Sequence, residues 1–425
     1  MSAFDLFAIL LLFAVVISVV NERYVGLPRP VALLLGSIAL CGTIMLSDYF
    51  LGHSDVRERL RERVLASHWP DLMLNMLLAL MLFAGSLNVD MRALRSKAWT
   101  IFALSTGSVV IATGIFGVGF WFALRLIGLD VPLPWCLVIG AILAPTDAVA
   151  VEGLLAKVAL TPRLRALISG ESLFNDGATV VLFTTALAIT GGNTELVGHG
   201  RVAEAIVVEA GGGGVLGVLA GYLTYRAVRL TADHTLALMI SIALVLATYR
   251  LALALHLSGP IAVVAAGLVF TYVLQERAGS VGAALQNNLR TLWSLVDDLL
   301  NTLLYMLIGL VALAVDLTAE TALAIAIAIP LAFVARLASV AVPILALDLR
   351  VPHIGKTVGV LTWAGLRGGV SIALALILPD SPHHDLLLAV CFAVVIFTVV
   401  VQGLSLPRLV TALYGPPEST PAPPH

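Results

Sequence analysis

The chain has 425 residues, of which 60% are hydrophobic and only 12% charged, with a formal net charge of -2. That balance excludes an ordinary soluble domain, in which the charged share is about twice as large. A near-neutral chain with no basic stripe of interleaved aromatics is also no partner for nucleic acid. The composition is that of an all-α integral membrane protein.

Apolar runs lie near 4–20, 28–47, 70–88, 98–125, 131–156, 163–190, 203–229, 235–254, 259–275, 289–315, 319–347, 356–379 and 385–412. At a rise of 1.5 Å per residue each can cross a hydrocarbon core of about 30 Å, which predicts 13 transmembrane helices. The first run lacks a basic leader and a small-residue cleavage site, so it reads as a retained helix. Cys41, Cys136 and Cys391 stand singly in apolar runs and read as small core residues, with neither disulfide nor zinc spacing. With the N-terminus outside, fifteen Lys and Arg fall on the inner side, among them Arg92, Arg95, Lys97, Arg163 and Arg165, and seven on the outer side. Four of those seven lie between Asp55 and Arg63, where interleaved acids predict a charge-balanced surface helix. The positive-inside rule therefore places the N-terminus outside and the C-terminus in the cytoplasm. Residues 1–415 read as one membrane domain, followed by a short Pro-rich cytoplasmic tail at 416–425.

Along the chain, Asp147 is the first acid deep inside an apolar run, directly after Pro145 and Thr146. A mid-span proline removes a backbone donor, so the helix is predicted to break near Ala144 to Asp147 and free carbonyls there. The stretch Gly170-Glu171-Ser172-Leu173-Phe174-Asn175-Asp176-Gly177 puts two more acids into the next run. An ionised side chain at the bilayer centre costs about 2.5 to 3.5 kcal/mol on insertion scales, so such residues are kept for use. On a helix Glu171 shares a face with Asn175 and Ser172 with Asp176, which makes one polar stripe of oxygen ligands. Na+ is a hard cation that wants such ligands. Gly211 to Gly214 lack the Lys-Ser/Thr of a phosphate loop and read as a close helix contact. His234 and His256 read as interfacial residues; Asp297, Asp298 and Asn301 read either as lining a cytoplasmic approach or as a solvated helix start.

Arg336 and Arg367 are the two basic residues inside apolar runs. Three acids and two arginines at membrane depth imply mutual pairing. Three glycines in Gly365-Leu366-Arg367-Gly368-Gly369 predict a second helix break, seven spans after the first. Interrupted helices at corresponding places in two halves point to an inverted-repeat transporter with its site at the midplane, where Asp147 and Arg367 offset the facing half-helix dipoles.

At these residues the chain resembles the NhaP-type monovalent cation/proton antiporters, relatives of the eukaryotic Na+/H+ exchangers. The resemblance rests on Pro145-Thr146-Asp147, on Gly170 to Gly177, on Ser258-Gly259-Pro260-Ile261-Ala262-Val263-Val264, on Leu292-Trp293 with Leu307-Ile308-Gly309-Leu310, and on Gly365 to Gly369. Where many members have Pro after the Thr-Asp pair, this chain has Ala148. The resemblance implies a homodimer with two interrupted crossing helices. A dimerisation part comprises roughly 1–97 and 203–315, and a mobile six-helix transport core roughly 98–190 and 319–412. It assigns Na+ ligation to Asp176, Ser172 and Thr146, places Asp147 in the ion- and proton-binding site, gives Asn175 an orienting role, and pairs Glu171 with Arg336.

A carboxylate that holds either one cation or one proton implies electroneutral exchange of Na+ or Li+ for H+, with no cofactor and no enzymatic step. The alternatives are a K+/H+ antiporter of the same fold, a cation channel and a symporter. An intramembrane hydrolase is disfavoured because the stripe holds no His or Lys as base beside Ser172.

Overall fold

The computed structural model describes residues 3–51, 69–87, 91–155, 162–191, 201–231, 233–277, 280–314, 318–346 and 353–414. The predicted surface helix at Asp55 to Arg63 and the tail 416–425 lie outside the described residues. Among those residues are 16 α-helices and no strand. They are α1 (Ala3–Val20), α2 (Arg29–Leu51), α3 (Trp69–Leu87), α4 (Met91–Leu126), α5 (Leu133–Ile142), α6 (Ala148–Leu155), α7 (Pro162–Thr190) and α8 (Arg201–Val228). Then follow α9 (His234–Ala254), α10 (Gly259–Arg277), α11 (Ser280–Ala314), α12 (Ala319–Ala346), α13 (Ile354–Trp363), α14 (Gly369–Leu376), α15 (His384–Phe397) and α16 (Gly403–Tyr414).

Three pairs are halves of single segments: α5 with α6, α13 with α14, and α15 with α16 across a π turn at Thr398–Gln402. So grouped, the helices fall on the 13 apolar runs one for one. Seven stretches are long and apolar enough by themselves to span a bilayer, and five are shorter apolar helices. Large apolar side chains of the spans face outward, as lipid allows: Leu12, Val19, Val215, Leu219, Met239 and Val334 are all exposed.

Two helices run past their apolar runs at the end predicted to be cytoplasmic. α4 starts at Met91 and α11 at Ser280, and the extra turns carry Arg92, Arg95 and Lys97 on α4 and Asn287 and Asn288 on α11. Such turns continue the helix into the headgroup region without altering the span. Arg290 donates from Nε to the carbonyl of Leu87 at 3.1 Å, which satisfies an orphan acceptor at the end of α3.

α4 packs against α5, α7 and α12, while α2 packs against α11 and α3 against α10. α8 lies along α10 at backbone contact. A Cβ at Gly213, Gly217 or Gly221, four residues apart, would collide with the carbonyl of Ser258, Ala262 or Ala266 respectively. Lipid offers no hydrophobic drive between helices, so contact of this kind is what holds such a pair together. The quartet Gly211 to Gly214 divides accordingly: Gly212 and Gly213 face Leu257 and Ser258, while Gly211 and Gly214 face open space.

This division makes a direct prediction. Gly217→Ala should lower the thermal midpoint of the detergent-solubilised protein, at a cost of about 1 to 3 kcal/mol for overpacking. Gly214→Ala should leave it unchanged or raise it, because alanine gains up to about 1 kcal/mol in helix propensity where nothing is displaced. Equal melting of the two variants would refute the backbone contact.

Candidate functional site

The first break runs from Leu143 to Asp147, beginning one residue earlier than the sequence predicts. Pro145 supplies no amide, and α6 restarts at Ala148 with Asp147 as its cap, the Asp147 Oδ1 accepting from the Ala150 amide at 3.0 Å. The second break covers Ala364 to Gly368. The two are joined. The amide of Asp147 donates to the carbonyl of Leu366 at 2.8 Å, and Arg367 donates from Nη1 to the carbonyls of Ala144 at 2.6 Å and Pro145 at 2.9 Å. Each interrupted segment thus completes the hydrogen bonding of the other in a place water does not reach.

Glycine at 368 follows from this closeness, because a Cβ there would overlap the Asp147 carboxylate. The amide of Arg367 donates to Thr398 Oγ1 at 3.2 Å, so the π turn of the last segment presents the hydroxyl that anchors the second break.

α7 carries the acidic stripe past this crossing. Glu171 pairs with Arg336 of α12 at 2.5 Å, and the same guanidinium donates to the carbonyl of Leu361 from Nε at 3.3 Å and Nη2 at 3.2 Å. Both charged side chains are buried, so the guanidinium of Arg336 does not extend out to the headgroups. Ser172 Oγ donates to the carbonyl of Thr146 at 2.5 Å, so two of the expected oxygen ligands touch. Thr146, Asp147, Glu171 and Arg336 line a small cavity, closed on its apolar side by Val151, Leu361 and Ala364. Asp176 stands one turn beyond Ser172, outside that lining, partly exposed and in the electrostatic reach of Asp147 and Asp297. Arg367 lies in the fields of Arg336 and Glu171.

Asn175 is fully buried, and neither amide atom of its side chain has a hydrogen-bond partner. The orienting role implied for it therefore has no hydrogen bond behind it in this conformation. Such an amide costs about 1 to 3 kcal/mol while it is left unpaired.

α11 contributes a face that the sequence reading left undecided. Asp297 and Asn301 are 5% and 8% exposed and lie in mid-helix, which overturns the solvated helix start as their explanation; only Asp298 is exposed. One turn further, Tyr305 donates its hydroxyl to Asp147 Oδ2 at 3.0 Å. Tyr305 was not foreseen. Its signal was present nonetheless, since Asp297, Asn301 and Tyr305 are spaced by four and share one face of an otherwise apolar run.

The family model for sodium/hydrogen exchangers matches residues 7–412. The chain belongs to the sodium/hydrogen exchanger family. It is 35% identical to the Na(+)/H(+) antiporter NhaP of Pseudomonas aeruginosa over 421 residues, covering 96% of this chain and 97% of that protein. It is 28% identical to the Na(+)/H(+) antiporter NhaH of Halobacillus dabanensis over 419 residues, covering 95% and 97%. The structure of the sodium proton antiporter MjNhaP1 from Methanocaldococcus jannaschii superposes with a TM-score of 0.76 over 98% of this chain and 100% of that one, at 18% identity, which establishes the shared fold. The family is one of transporters, not of enzymes.

The buried ion pair can be tested by thermal melting. Removing one partner strands a charge and typically costs about 3 to 5 kcal/mol, so Arg336→Ala should melt far below the parent protein. Glu171→Gln/Arg336→Gln should recover part of the loss, and only part, because the carbonyl of Leu361 also loses its donors. A double variant no more stable than Arg336→Ala would show that the two side chains do not stabilise each other.

Proposed function

We propose that this protein is a secondary antiporter that exchanges Na+, or Li+, for H+ by alternating access, with ion and proton competing for Asp176. The observation that carries the reading is the commitment of both intramembrane arginines. Arg336 is held by Glu171 and the Leu361 carbonyl, and Arg367 by the freed carbonyls of Ala144 and Pro145. The charge of Asp176 is then balanced by what it transports. Family membership and the names of its relatives as Na(+)/H(+) antiporters support Na+ over K+.

Thr146 and Ser172 complete the ligand set. The Ser172 hydroxyl now bonded to the Thr146 carbonyl turns its lone pairs inward when a cation takes the hydrogen's place. Asp147 supports the site from the cap of α6, and Asn175 offers a neutral amide whose unpaired atoms are satisfied only when the site is occupied. The packing of α4 with α5, α7 and α12 supports a transport core of residues 98–190 and 319–412 moving against a dimerisation part of 1–97 and 203–315, in a homodimer. The distribution of Lys and Arg supports an N-terminus outside and a C-terminus inside, in the plasma or inner membrane.

The charge count gives electroneutral exchange. Glu171 is offset by Arg336, Asn175 cannot ionise, and Asp176 carries one cation one way and one proton the other. A membrane potential worth about 2.3 kcal/mol per charge per 100 mV then has nothing to act on.

Two measurements test this. In everted vesicles, addition of NaCl should dequench a pH dye, and Asp176→Asn should abolish that response while eluting as a folded protein of parent size; exchange at the parent rate by that variant would sink the reading. In proteoliposomes, collapsing the potential with valinomycin and K+ should leave the rate of Na+-driven proton movement unchanged. A rate that follows the imposed potential would mean that a second group changes charge in each cycle.

A further inference from the structure

The charged groups at the crossing do not sum to one spare carboxylate. Asp147, Asp176 and Asp297 act on one another, and Glu171, Arg336 and Arg367 form a second mutually interacting set. Four carboxylates face two guanidinium groups, which leaves a formal charge of -2 inside the membrane. Asp176 accounts for one unit. In that sum Glu171 is set against Arg336 and Asp147 against Arg367 at the same crossing, and Asp147 is further held by the hydroxyl of Tyr305, the amide of Ala150 and the positive end of α6. The remaining charge sits on Asp297, which is 5% exposed on α11.

Asn301 supplies the independent pointer to a ligand. It is 8% exposed, its Nδ2 donates to the Asp297 carbonyl at 3.1 Å, and its Oδ1 is buried with no hydrogen-bond partner. The amide is therefore folded back over the Asp297 turn, with an acceptor left unused beside it. That oxygen lies 3.3 Å from the Cβ position of Gly369, at the second break, where any larger residue would displace it. A buried carboxylate and an unpaired amide oxygen one helical turn apart, about 6 Å along the axis, are hard oxygen ligands in want of a cation. They lie on the same face as Tyr305, which touches Asp147.

We propose that Asp297 and Asn301 form a second alkali-cation site on α11, on the predicted cytoplasmic side of Asp176, where a Na+ ion waits before it passes to the exchange site. The proposal rests on the reading of Asp176 as the exchange carboxylate, and it adds a station that this reading does not need. An ion held there satisfies Asn301 Oδ1 and reduces the repulsion that Asp297 exerts on Asp176 and Asp147. Each ion that passes on to Asp176 is replaced from the cytoplasmic side, so the station changes the occupancy of the path and not the stoichiometry.

The test uses the full-length protein in detergent with Na+ as the probe, read by 23Na line broadening as NaCl replaces choline chloride, which does not depend on transport. Asp176→Asn should still bind Na+, and Asp176→Asn/Asp297→Asn should lose that binding. Asp297→Asn alone should raise KM for Na+ several-fold while the maximal rate stays within about twofold, the signature of a lost binding step. Its thermal midpoint should match or exceed that of the parent, since the substitution removes a buried charge and breaks no pair. Asn301→Ala serves as the second variant and should weaken the binding retained by Asp176→Asn without abolishing it. The proposal is overturned if Asp176→Asn binds no Na+, if the added Asp297→Asn leaves its Na+ binding unchanged, or if Asp297→Asn lowers the thermal midpoint and leaves KM where it was. Exchange by Asp176→Asn at the parent rate would instead overturn the assignment of Asp176, which separates the two failures.

Discussion

Everything at the centre of this molecule depends on satisfying backbone groups where there is no water to do it. Interrupting a membrane helix frees amides and carbonyls whose exposure to hydrocarbon costs several kcal/mol each. This chain interrupts two and lays the gaps across each other, so that the Asp147 amide meets the Leu366 carbonyl and Arg367 meets the carbonyls of Ala144 and Pro145. Each break satisfies polar groups that the other leaves open. The local residue choices follow: Pro145 because its missing amide costs nothing at a gap, Gly368 because the Asp147 carboxylate occupies the space of a Cβ, and Thr398 because its hydroxyl receives the Arg367 amide.

The same constraint separates two kinds of charge. Arg367 is bound by backbone oxygen and Arg336 by Glu171 together with the Leu361 carbonyl, so both cations are fixed parts of the frame. Of the acids on the other side, Asp176 and Asp297 show no ion pair with a cationic side chain among the described residues. Fixed positive charge held by carbonyls, next to carboxylates left for mobile charge, is the electrostatic arrangement an exchanger needs. A closed set of ion pairs would be sturdier, and it would have nothing to transport.

How far the sequence anticipates this depends on the kind of signal. The spans follow from hydropathy because lipid penalises any long polar stretch, and the helices fall on the predicted runs. Both breaks follow from Pro145 and from the three glycines, since those residues act through the local backbone. The pairing of Glu171 with Arg336 was reachable through family resemblance, as 165 positions separate the partners and nothing local joins them. Tyr305 escaped because a tyrosine in an apolar run looks like core until its hydroxyl is seen on Asp147. Asp297 stayed ambiguous because an acid eight or so residues into a run is compatible with a solvated turn; only the length of α11, which begins at Ser280, places it in mid-helix. The longer extent of α4 and α11 was not legible for the related reason that helix and apolar run need not stop together.

The contacts also say where motion can occur under the proposed division of core and scaffold. Within the core, the crossing is tied by three backbone-directed bonds and the Glu171–Arg336 pair, all buried, and breaking any of them strands a polar group. Between core and α11 the described hydrogen bond to Asp147 is the one from the Tyr305 hydroxyl, together with apolar packing of Gly369 against Leu304. A hydrogen bond to a charged group contributes about 1.5 to 3 kcal/mol net, less than the loss of about 3 to 5 kcal/mol when a buried ion pair is split. Sliding along the α11 face therefore costs least, and that face is where Asp297, Asn301 and Tyr305 are lined up. The surface most easily sheared is also the one that carries the spare negative charge. An ion held by Asp297 and Asn301 would then lower the repulsion across the sliding surface as the core moves past it, so that occupancy and movement are coupled through the same few oxygens.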